Sequence, residues 1–163
     1  MGSPQLGMFS STPRIGKLVS NEWERMNKWN RYFMDVARLT AQLSHARRLK
    51  VGAVASRENR LLLTAYNGTP PGMSNTCELV NPDGTYGPTL PQVLHAEENL
   101  IAVATRFGVS LDGASVYLTH SPCIHCAGLL LSAGITRVFY ELDYRCSEGI
   151  EYLRQNDIMV VKI

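Results

Sequence analysis

Long hydrophobic runs are missing from this sequence of 163 residues. No apolar stretch approaches the roughly 18 residues that cross a bilayer, and the first residues lack the apolar core of a signal peptide. The sequence also has little excess of one charge over the other, because 16 basic and 14 acidic residues leave a formal net charge of +2. We therefore expect a cytoplasmic protein without a membrane partner. A charge this weak does not demand a polyanionic partner such as DNA or tRNA, and we expect no nucleic acid to bind.

Cysteine is scarce as well, with four residues in the chain, and a reducing compartment is the simplest setting for them. Internal repeats and low-complexity segments are absent. Hydrophobic residues make up 45% of the sequence, which is enough for the core of one domain of ordinary size. Residues 1–20 are rich in Gly, Ser and Pro without periodicity, so we expect a flexible N-terminal arm before a zinc-dependent domain over residues 21–163.

The residues that indicate zinc lie in two short segments, His95-Ala96-Glu97 and Pro122-Cys123-Ile124-His125-Cys126. The histidine and the two cysteines are ligands that Zn²⁺ binds tetrahedrally. No obvious fourth protein ligand accompanies them, and three ligands with an open position is the catalytic arrangement. Glu97 lies where its carboxylate can reach a water molecule in that position, so we predict that it is the catalytic acid–base. The H-x-E…P-C-x-x-C pattern is the signature of nucleobase deaminases.

A Cys-x-x-Cys pair has two other interpretations. It could be a redox pair, since this one follows a predicted strand and begins a predicted helix. It could also be half of a structural zinc knuckle, but a knuckle needs a second ligand pair at short spacing and the sequence has none. The redox interpretation leaves His95 and Glu97 unexplained, so we prefer the catalytic zinc site. We expect Glu98 to be an ordinary first-turn glutamate, and His120 and His125 occupy no ligand position.

Hydrophobic periodicity predicts an α/β fold in three α/β/α layers around a five-stranded mixed sheet. A helix begins near Asn21, and a hairpin of two strands follows over residues 51–56 and 61–66. Another helix covers residues 95–107, and then strand and helix alternate, which predicts parallel pairing of the final strands and helices on both faces. The apolar stripe of the first helix comprises Trp23, Met26, Trp29, Phe33, Val36, Ala37 and Leu43.

Residues 67–94 have no period and contain several Pro and Gly residues. Because a structureless connection of this length is uncommon, we expect a substrate-proximal or regulatory loop. A solvated surface insertion is the alternative.

Further segments give the chain a resemblance to the deoxycytidylate (dCMP) deaminase family, phage-type members included, within the cytidine deaminase-like fold. The resemblance covers roughly residues 22–163. The zinc motifs are common to the whole superfamily, whereas three segments indicate the deoxycytidylate branch: Tyr66-Asn67-Gly68, Ala133-Gly134-Ile135 and Tyr144-Arg145. Supporting segments are Val51-Gly52-Ala53-Val54, Val116-Tyr117-Leu118-Thr119, Ser121-Pro122-Cys123 and Cys126-Ala127.

The resemblance implies hydrolytic deamination of dCMP to dUMP, which supplies dUMP for thymidylate synthesis. It implies that His95, Cys123 and Cys126 bind zinc and that Glu97 is the acid–base. In the substrate site, the backbone amide of Ala96 would hold the pyrimidine carbonyl, and Asn67 would contact the sugar.

Tyr144 and Arg145 would face the substrate phosphate, since an arginine can bind two phosphate oxygens at once. Arg47 or Arg48 could add to that phosphate site. For each arginine the alternative is a solvated surface charge. No motif in the sequence indicates whether dCTP is also a substrate.

The resemblance also implies a homo-oligomer, commonly a hexamer. Many members bind a regulatory deoxynucleoside triphosphate with Mg²⁺ near the loop that follows Gly68. Here that loop lacks the acidic residues that often follow, and Glu78 and Asp83 come later. Some members carry a second, structural zinc, to which His45 and Cys77 could contribute, but we prefer a capping histidine and a free buried cysteine.

Two other functions fit the zinc motifs. The first is a deaminase of adenosine or cytidine in tRNA or another nucleic acid, although such an enzyme would be expected to have a basic surface. The second is a non-catalytic zinc-binding module or a deaminase-like competence protein, against which the intact Glu97 argues.

Overall fold

The computed structural model describes residues 20–163, with side chains from residue 28 onward. The expected arm, apart from its last residue, lies outside the described residues, as do the side chains of Trp23 and Met26. The elements of the described region follow in chain order: α1 (Ser20–Ala41), β1 (Gly52–Arg57), β2 (Arg60–Tyr66), β3 (Glu78–Val80), β4 (Tyr86–Thr89), α2 (Ala96–Phe107), β5 (Ser115–His120), α3 (Ile124–Ser132), β6 (Arg137–Leu142), α4 (Glu148–Gln155) and β7 (Met159–Lys162).

Five strands form the main sheet in the order β2-β1-β5-β6-β7. Strand β1 is antiparallel to both neighbours, whereas β5, β6 and β7 are parallel. The β1–β2 turn has positive φ at Glu58 (51°) and Asn59 (58°), as a two-residue hairpin turn matched to strand twist requires. Helices α3 and α4 make the long connections that parallel strands need. The predicted mixed sheet with parallel final strands is confirmed.

Helices cover both faces of this sheet, as predicted, but the two crossover helices share one face. There α2, α3 and α4 pack on strand residues such as Val116 and Leu118. Among the described elements, helix α1 is the one that covers the opposite face, where the rings of Tyr117 and Phe139 stack with centroids 4.7 Å apart. None of the described helices is both long and apolar enough to cross a membrane.

The predicted stripe of α1 is partly wrong. Leu43 lies beyond the end of the helix at Ala41 and is 61% exposed. Phe33 and Ala37 are buried as predicted, and Met34 is buried beside them. The chain turns at residues 42–44, so a residue two positions past Ala41 no longer follows the helical period.

The prediction of an irregular loop over residues 67–94 is also wrong in part, because it contains a hairpin of β3 and β4. These strands have three and four residues, and Pro88 lies within β4. Leu79 and Val80 are both exposed, so no alternation of apolar and polar residues marks the strand. Beneath the hairpin, the buried side chain of Cys77 packs with Ala46 and Val93.

Helix α4 lies directly against the backbone of residues 121–123. A Cβ atom at Gly149 would lie 2.1 Å from the carbonyl oxygen of Pro122 and 2.8 Å from the carbonyl carbon of Cys123. Only glycine permits this approach. The same segment is held on its other side, where the Ser121 hydroxyl accepts a hydrogen bond from the Tyr144 amide at 2.7 Å.

We therefore expect Gly149→Ala to push α4 away from the Cys123 segment and to lower the free energy of unfolding by about 1–3 kcal/mol. Gly128→Ala is the matched control, since nothing lies within 4 Å of its added Cβ and alanine favours a helix. Chemical denaturation of both variants measures the difference. Equal stability of the two variants would contradict the packing argument.

Candidate metal centre and adjoining cavity

Three predicted metal ligands converge at the N-termini of two helices. His95 precedes α2 and Cys123 precedes α3 with extended backbones, and Cys126 lies in the first turn of α3. The Nδ1 atom of His95 lies 3.7 Å from the Cys123 sulfur and 3.3 Å from the Cys126 sulfur. Within the described region this is the one group of three or more potential donor atoms that lie close enough to share a metal ion.

The electrostatics of this cluster fit a divalent cation. Burial raises the pKa of the Cys126 thiol, and the negative charges of Glu97 and Cys123 add to that effect. Metal ligation requires thiolates, and the partial positive charge of a helix N-terminus favours them only modestly. A Zn²⁺ ion binds two thiolates and an imidazole readily and supplies the missing positive charge. The residues present therefore fit zinc.

Glu97 is buried beside the metal ligands, with 4% of its surface exposed. Burial raises the pKa of its carboxyl to about 7, while hydrogen bonding to its own amide and to Cys126 acts in the opposite direction. A bound cation would also favour the charged carboxylate. A buried carboxyl that exchanges its proton near neutral pH can act as a general acid and base.

Glu98 has the structural role that its position predicts. Its carboxylate accepts a hydrogen bond from the backbone amide of His95 at 2.6 Å and so caps α2. Its other oxygen lies 3.4 Å from Nε2 of the exposed His125. His125 is thus paired with Glu98 on the outside of the helices, and it does not join the ligand cluster.

A cavity of about 530 Å³ begins at His95, Glu97 and Cys123. The chain segments that follow β5 and β6 line it, as expected for a ligand crevice at the carboxyl ends of parallel strands. The predicted substrate-site residues that line this cavity are Arg48, Asn67, Ala96, Tyr144 and Arg145. Arg47, the alternative to Arg48, lines a different cavity.

Asn67 holds the segment that leads into β1. Its side-chain oxygen accepts a hydrogen bond from the Val51 amide, and its side-chain nitrogen donates to the Leu49 carbonyl, each at 2.8 Å. Asn67 therefore has a structural role in addition to the predicted sugar contact.

The arginines stand at the exposed part of the cavity. The Arg145 guanidinium lies 5.3 Å from the centre of the Tyr144 ring, an attractive cation–π distance. Arg48 is placed by Glu78, whose buried carboxylate accepts hydrogen bonds from the backbone amides of Arg47 at 2.9 Å and Arg48 at 3.1 Å. Both Arg48 and Arg145 are exposed, and the Arg48 guanidinium lies 3.4 Å from the carbonyl oxygen of Gly87.

Two residues of the cavity wall, His120 and Glu78, were not predicted as site residues. His120 occupies no zinc-ligand position, so the zinc motif does not mark it. Its position as the last residue before Ser121-Pro122-Cys123, at the carboxyl end of a strand, is the signal that could have found it. Glu78 has no comparable signal, because its amide partners are 30 and 31 residues away.

His45 and Cys77 line a second cavity of about 360 Å³. Burial raises the pKa of the Cys77 thiol, and the charge of Glu78 adds to this effect. Among the described residues no cluster of three donors forms around this pair. The geometry therefore gives no support to a second zinc site there.

Known proteins are similar to this chain in sequence and in fold. ComE operon protein 2 of Bacillus subtilis is 37% identical over 121 residues, covering 72% of this chain and 61% of that protein. The deoxycytidylate deaminase of Schizosaccharomyces pombe is 34% identical, covering 82% of this chain and 47% of that protein. The chain thus spans between about half and three fifths of these two relatives. The deoxycytidylate deaminase of Mycobacterium phage D29 is 37% identical, covering 69% of this chain and 93% of that protein.

The dCMP deaminase of cyanophage S-TIM5, solved with dCMP and dUMP, has a TM-score of 0.74 and 35% identity to this chain. The match covers 90% of this chain and 100% of that one. A tRNA:A34 deaminase structure matches with a TM-score of 0.54 and 24% identity, which shows a shared fold alone. The model of the cytidine and deoxycytidylate deaminase zinc-binding region matches residues 27–142, and the chain belongs to this family.

Proposed function

We propose that this protein is a zinc-dependent dCMP deaminase, which hydrolyses dCMP to dUMP and ammonia. The observation that carries the proposal is one cavity lined by the buried Glu97, by His95 and Cys123 of the metal-ligand cluster, and by two exposed arginines. A cytosine ring and a phosphate at opposite ends of a nucleotide match those two environments. The cyanophage relative solved with dCMP and dUMP supports the choice of substrate.

In this proposal His95, Cys123 and Cys126 hold the zinc ion. When bound, zinc supplies Lewis-acid activation of water at neutral pH. The Glu97 carboxylate accepts a proton from the attacking water and delivers it to the pyrimidine ring nitrogen. It then takes up the second proton of that water, from the new hydroxyl group on the ring carbon, and delivers it to the amino group, which leaves as ammonia. Burial of Glu97 keeps bulk water away from these proton transfers.

The substrate is held by groups along the cavity wall. Ala96 is the first residue of α2, so its backbone N–H has no partner within the helix and can bind the pyrimidine carbonyl. Asn67 contacts the sugar. Arg48, Tyr144 and Arg145 bind the phosphate, for which a guanidinium can donate two hydrogen bonds at once.

Three finer features belong to the same proposal. One is a homo-oligomer, a hexamer by resemblance, which light scattering measures. Another is a regulatory deoxynucleoside triphosphate with Mg²⁺. The carboxylates of Glu78 and Asp83 give it little support, because they already bind backbone amides of Arg47, Arg48 and Thr85. The third is activity on dCTP, which an assay of dCMP, dCTP, deoxycytidine, CMP and adenosine in parallel measures.

Nucleic-acid deamination is disfavoured by the formal net charge of +2. A non-catalytic role, as for a competence protein, is disfavoured because Glu97 is present and lines the cavity. Ammonia release from dCMP separates these alternatives from the proposal, and higher efficiency on adenosine in tRNA would overturn the substrate class.

We expect one zinc ion per chain and its loss in Cys123→Ser. Serine remains a good helix N-cap, so the variant removes the thiolate while preserving the start of α3. Cys146→Ser is the control, since Cys146 is exposed and not among the residues that line the main cavity. Elemental analysis and thermal unfolding measure zinc content and stability. Full zinc occupancy in Cys123→Ser would refute the ligand assignment.

We expect Glu97→Gln to keep zinc and fold but to lose turnover by at least roughly 10²–10⁴-fold, because an amide cannot shuttle the proton. Glu98→Gln is the control, since glutamine can still accept the hydrogen bond that caps α2. Steady-state ammonia release measures both variants. Equal losses in the two would show that Glu97 has no special role.

We expect Arg145→Ala to raise the KM for dCMP while barely changing weak activity on deoxycytidine, because the guanidinium gains its charged contact only when a phosphate is present. The quantity measured is the ratio of kcat/KM for dCMP to that for deoxycytidine. Arg60→Ala, at an exposed arginine that is not among the cavity-lining residues, is the control. A ratio unchanged from wild type in Arg145→Ala would exclude the phosphate role.

A further inference from the structure

His120 is a half-buried residue of the cavity wall that the proposed mechanism does not use. It is the last residue of β5, which pairs with β1 through Ala53 and Leu118. Continuing that antiparallel register places His120 next to Val51, which also lines the cavity. His120 thus lies in the wall between the segment that leads into β1 and the segment that carries Tyr144.

A chain of hydrogen bonds sets the tautomer of this ring. The Gly52 amide donates to the Thr119 hydroxyl oxygen at 3.1 Å, and that oxygen lies 3.1 Å from Nδ1 of His120. In the part of the chain that the structure describes, no other acceptor lies within hydrogen-bond distance of this hydroxyl. Donating its hydrogen to Nδ1 satisfies this buried hydroxyl, and that arrangement places the hydrogen of a neutral ring on Nε2.

The ring is also held in its neutral form. Burial lowers the pKa of His120, and the main opposing influence is the carboxylate of Glu141. That carboxylate is already bound by Arg38, whose Nε lies 3.0 and 3.1 Å from its two oxygens. A neutral ring with hydrogen on Nε2 is a hydrogen-bond donor at that atom, and its lone pair lies on Nδ1, which faces the Thr119 hydroxyl.

We propose that His120 is a specificity-determining residue whose Nε2–H donates to the sugar 3′-hydroxyl or to a non-bridging phosphate oxygen of the substrate, with Thr119 as the positioning residue that sets its tautomer. This inference rests on the proposed function. In that mechanism the cytosine carbonyl is bound by Ala96, and the ring nitrogen exchanges a proton with Glu97. The cytosine amino group is itself a donor. The acceptors that remain for His120 are sugar and phosphate oxygens.

The kinetic test uses the zinc-loaded protein. We expect His120→Leu to raise the KM for dCMP roughly fivefold to tenfold, the range of one lost hydrogen bond, with kcat within about twofold. We expect His120→Gln to restore much of the affinity, because its side-chain nitrogen can carry a hydrogen to a similar position. An unchanged KM in His120→Leu, a loss confined to kcat, or no rescue by glutamine would overturn the inference.

Two substrate analogues identify the acceptor. If the effect of His120→Leu disappears with 2′,3′-dideoxycytidine monophosphate, the acceptor is the sugar 3′-hydroxyl. If it disappears with deoxycytidine, the acceptor is the phosphate. Either result supports a donor to the sugar–phosphate part, whereas an effect of equal size on both analogues and on dCMP would contradict it.

The tautomer can be observed without turnover. We expect ¹⁵N chemical shifts of the His120 ring to report hydrogen on Nε2 in the wild type and in Thr119→Ser, and a mixture of tautomers in Thr119→Val. Hydrogen on Nδ1 in the wild type would overturn the inference, whatever the activity of the protein. If wild-type protein releases no ammonia from dCMP, the proposed function fails, while the ring spectrum still decides the tautomer.

Discussion

The convergence of two sulfurs and one imidazole at a single point, with Cys126 fully buried, is the constraint on which this structure depends. Burial raises the pKa of Cys126, so without a nearby positive charge this sulfur would remain a protonated thiol and could not bind a metal ion. Two helix N-termini help to meet this requirement, because each directs partial positive charge at the ligands. The fold must therefore hold the beginnings of α2 and α3 at one place, and the sheet beneath them serves that purpose.

Close backbone approaches hold that geometry. At Gly149, helix α4 contacts the backbone that precedes Cys126, and at Gly52 an added Cβ would lie 2.0 Å from the carbonyl oxygen of Ala37. Gly52 also donates the hydrogen bond that begins the chain to Thr119 and His120. The first residue of β1 thus joins helix α1 on one face of the sheet to the cavity wall on the other.

The parts of this molecule that could be predicted from sequence are those in which a local pattern suffices. His95, Cys123 and Cys126 are recognisable by spacing because a helix start places neighbouring ligands at fixed offsets, and the parallel strands follow from the alternation of strand and helix. Strands β3 and β4 have no such pattern, because they are short and leave apolar residues exposed. The roles of Glu78 and Asn67 depend on backbone amides and carbonyls far away in the chain, which no local pattern encodes.

The charged side chains of the cavity differ in burial, since Glu97 is buried whereas Arg48 and Arg145 are exposed, and this difference determines how each can act. Near the metal ligands, Glu97 is almost inaccessible to water, and an unpaired charge there is costly. A neutral donor such as the Ala96 amide adds no charge, so it can orient a neutral base without disturbing Glu97. At the exposed end, arginines keep their charge at little cost and can attract an anion from solution. His120 lies in the wall between these regions, and a protonated ring there would place a positive charge in the partly buried wall. The proposed hydrogen bond from the Thr119 hydroxyl uses Nδ1 as an acceptor and so favours the neutral ring. The neutral ring can still donate a hydrogen bond through Nε2–H, without the cost of a buried charge.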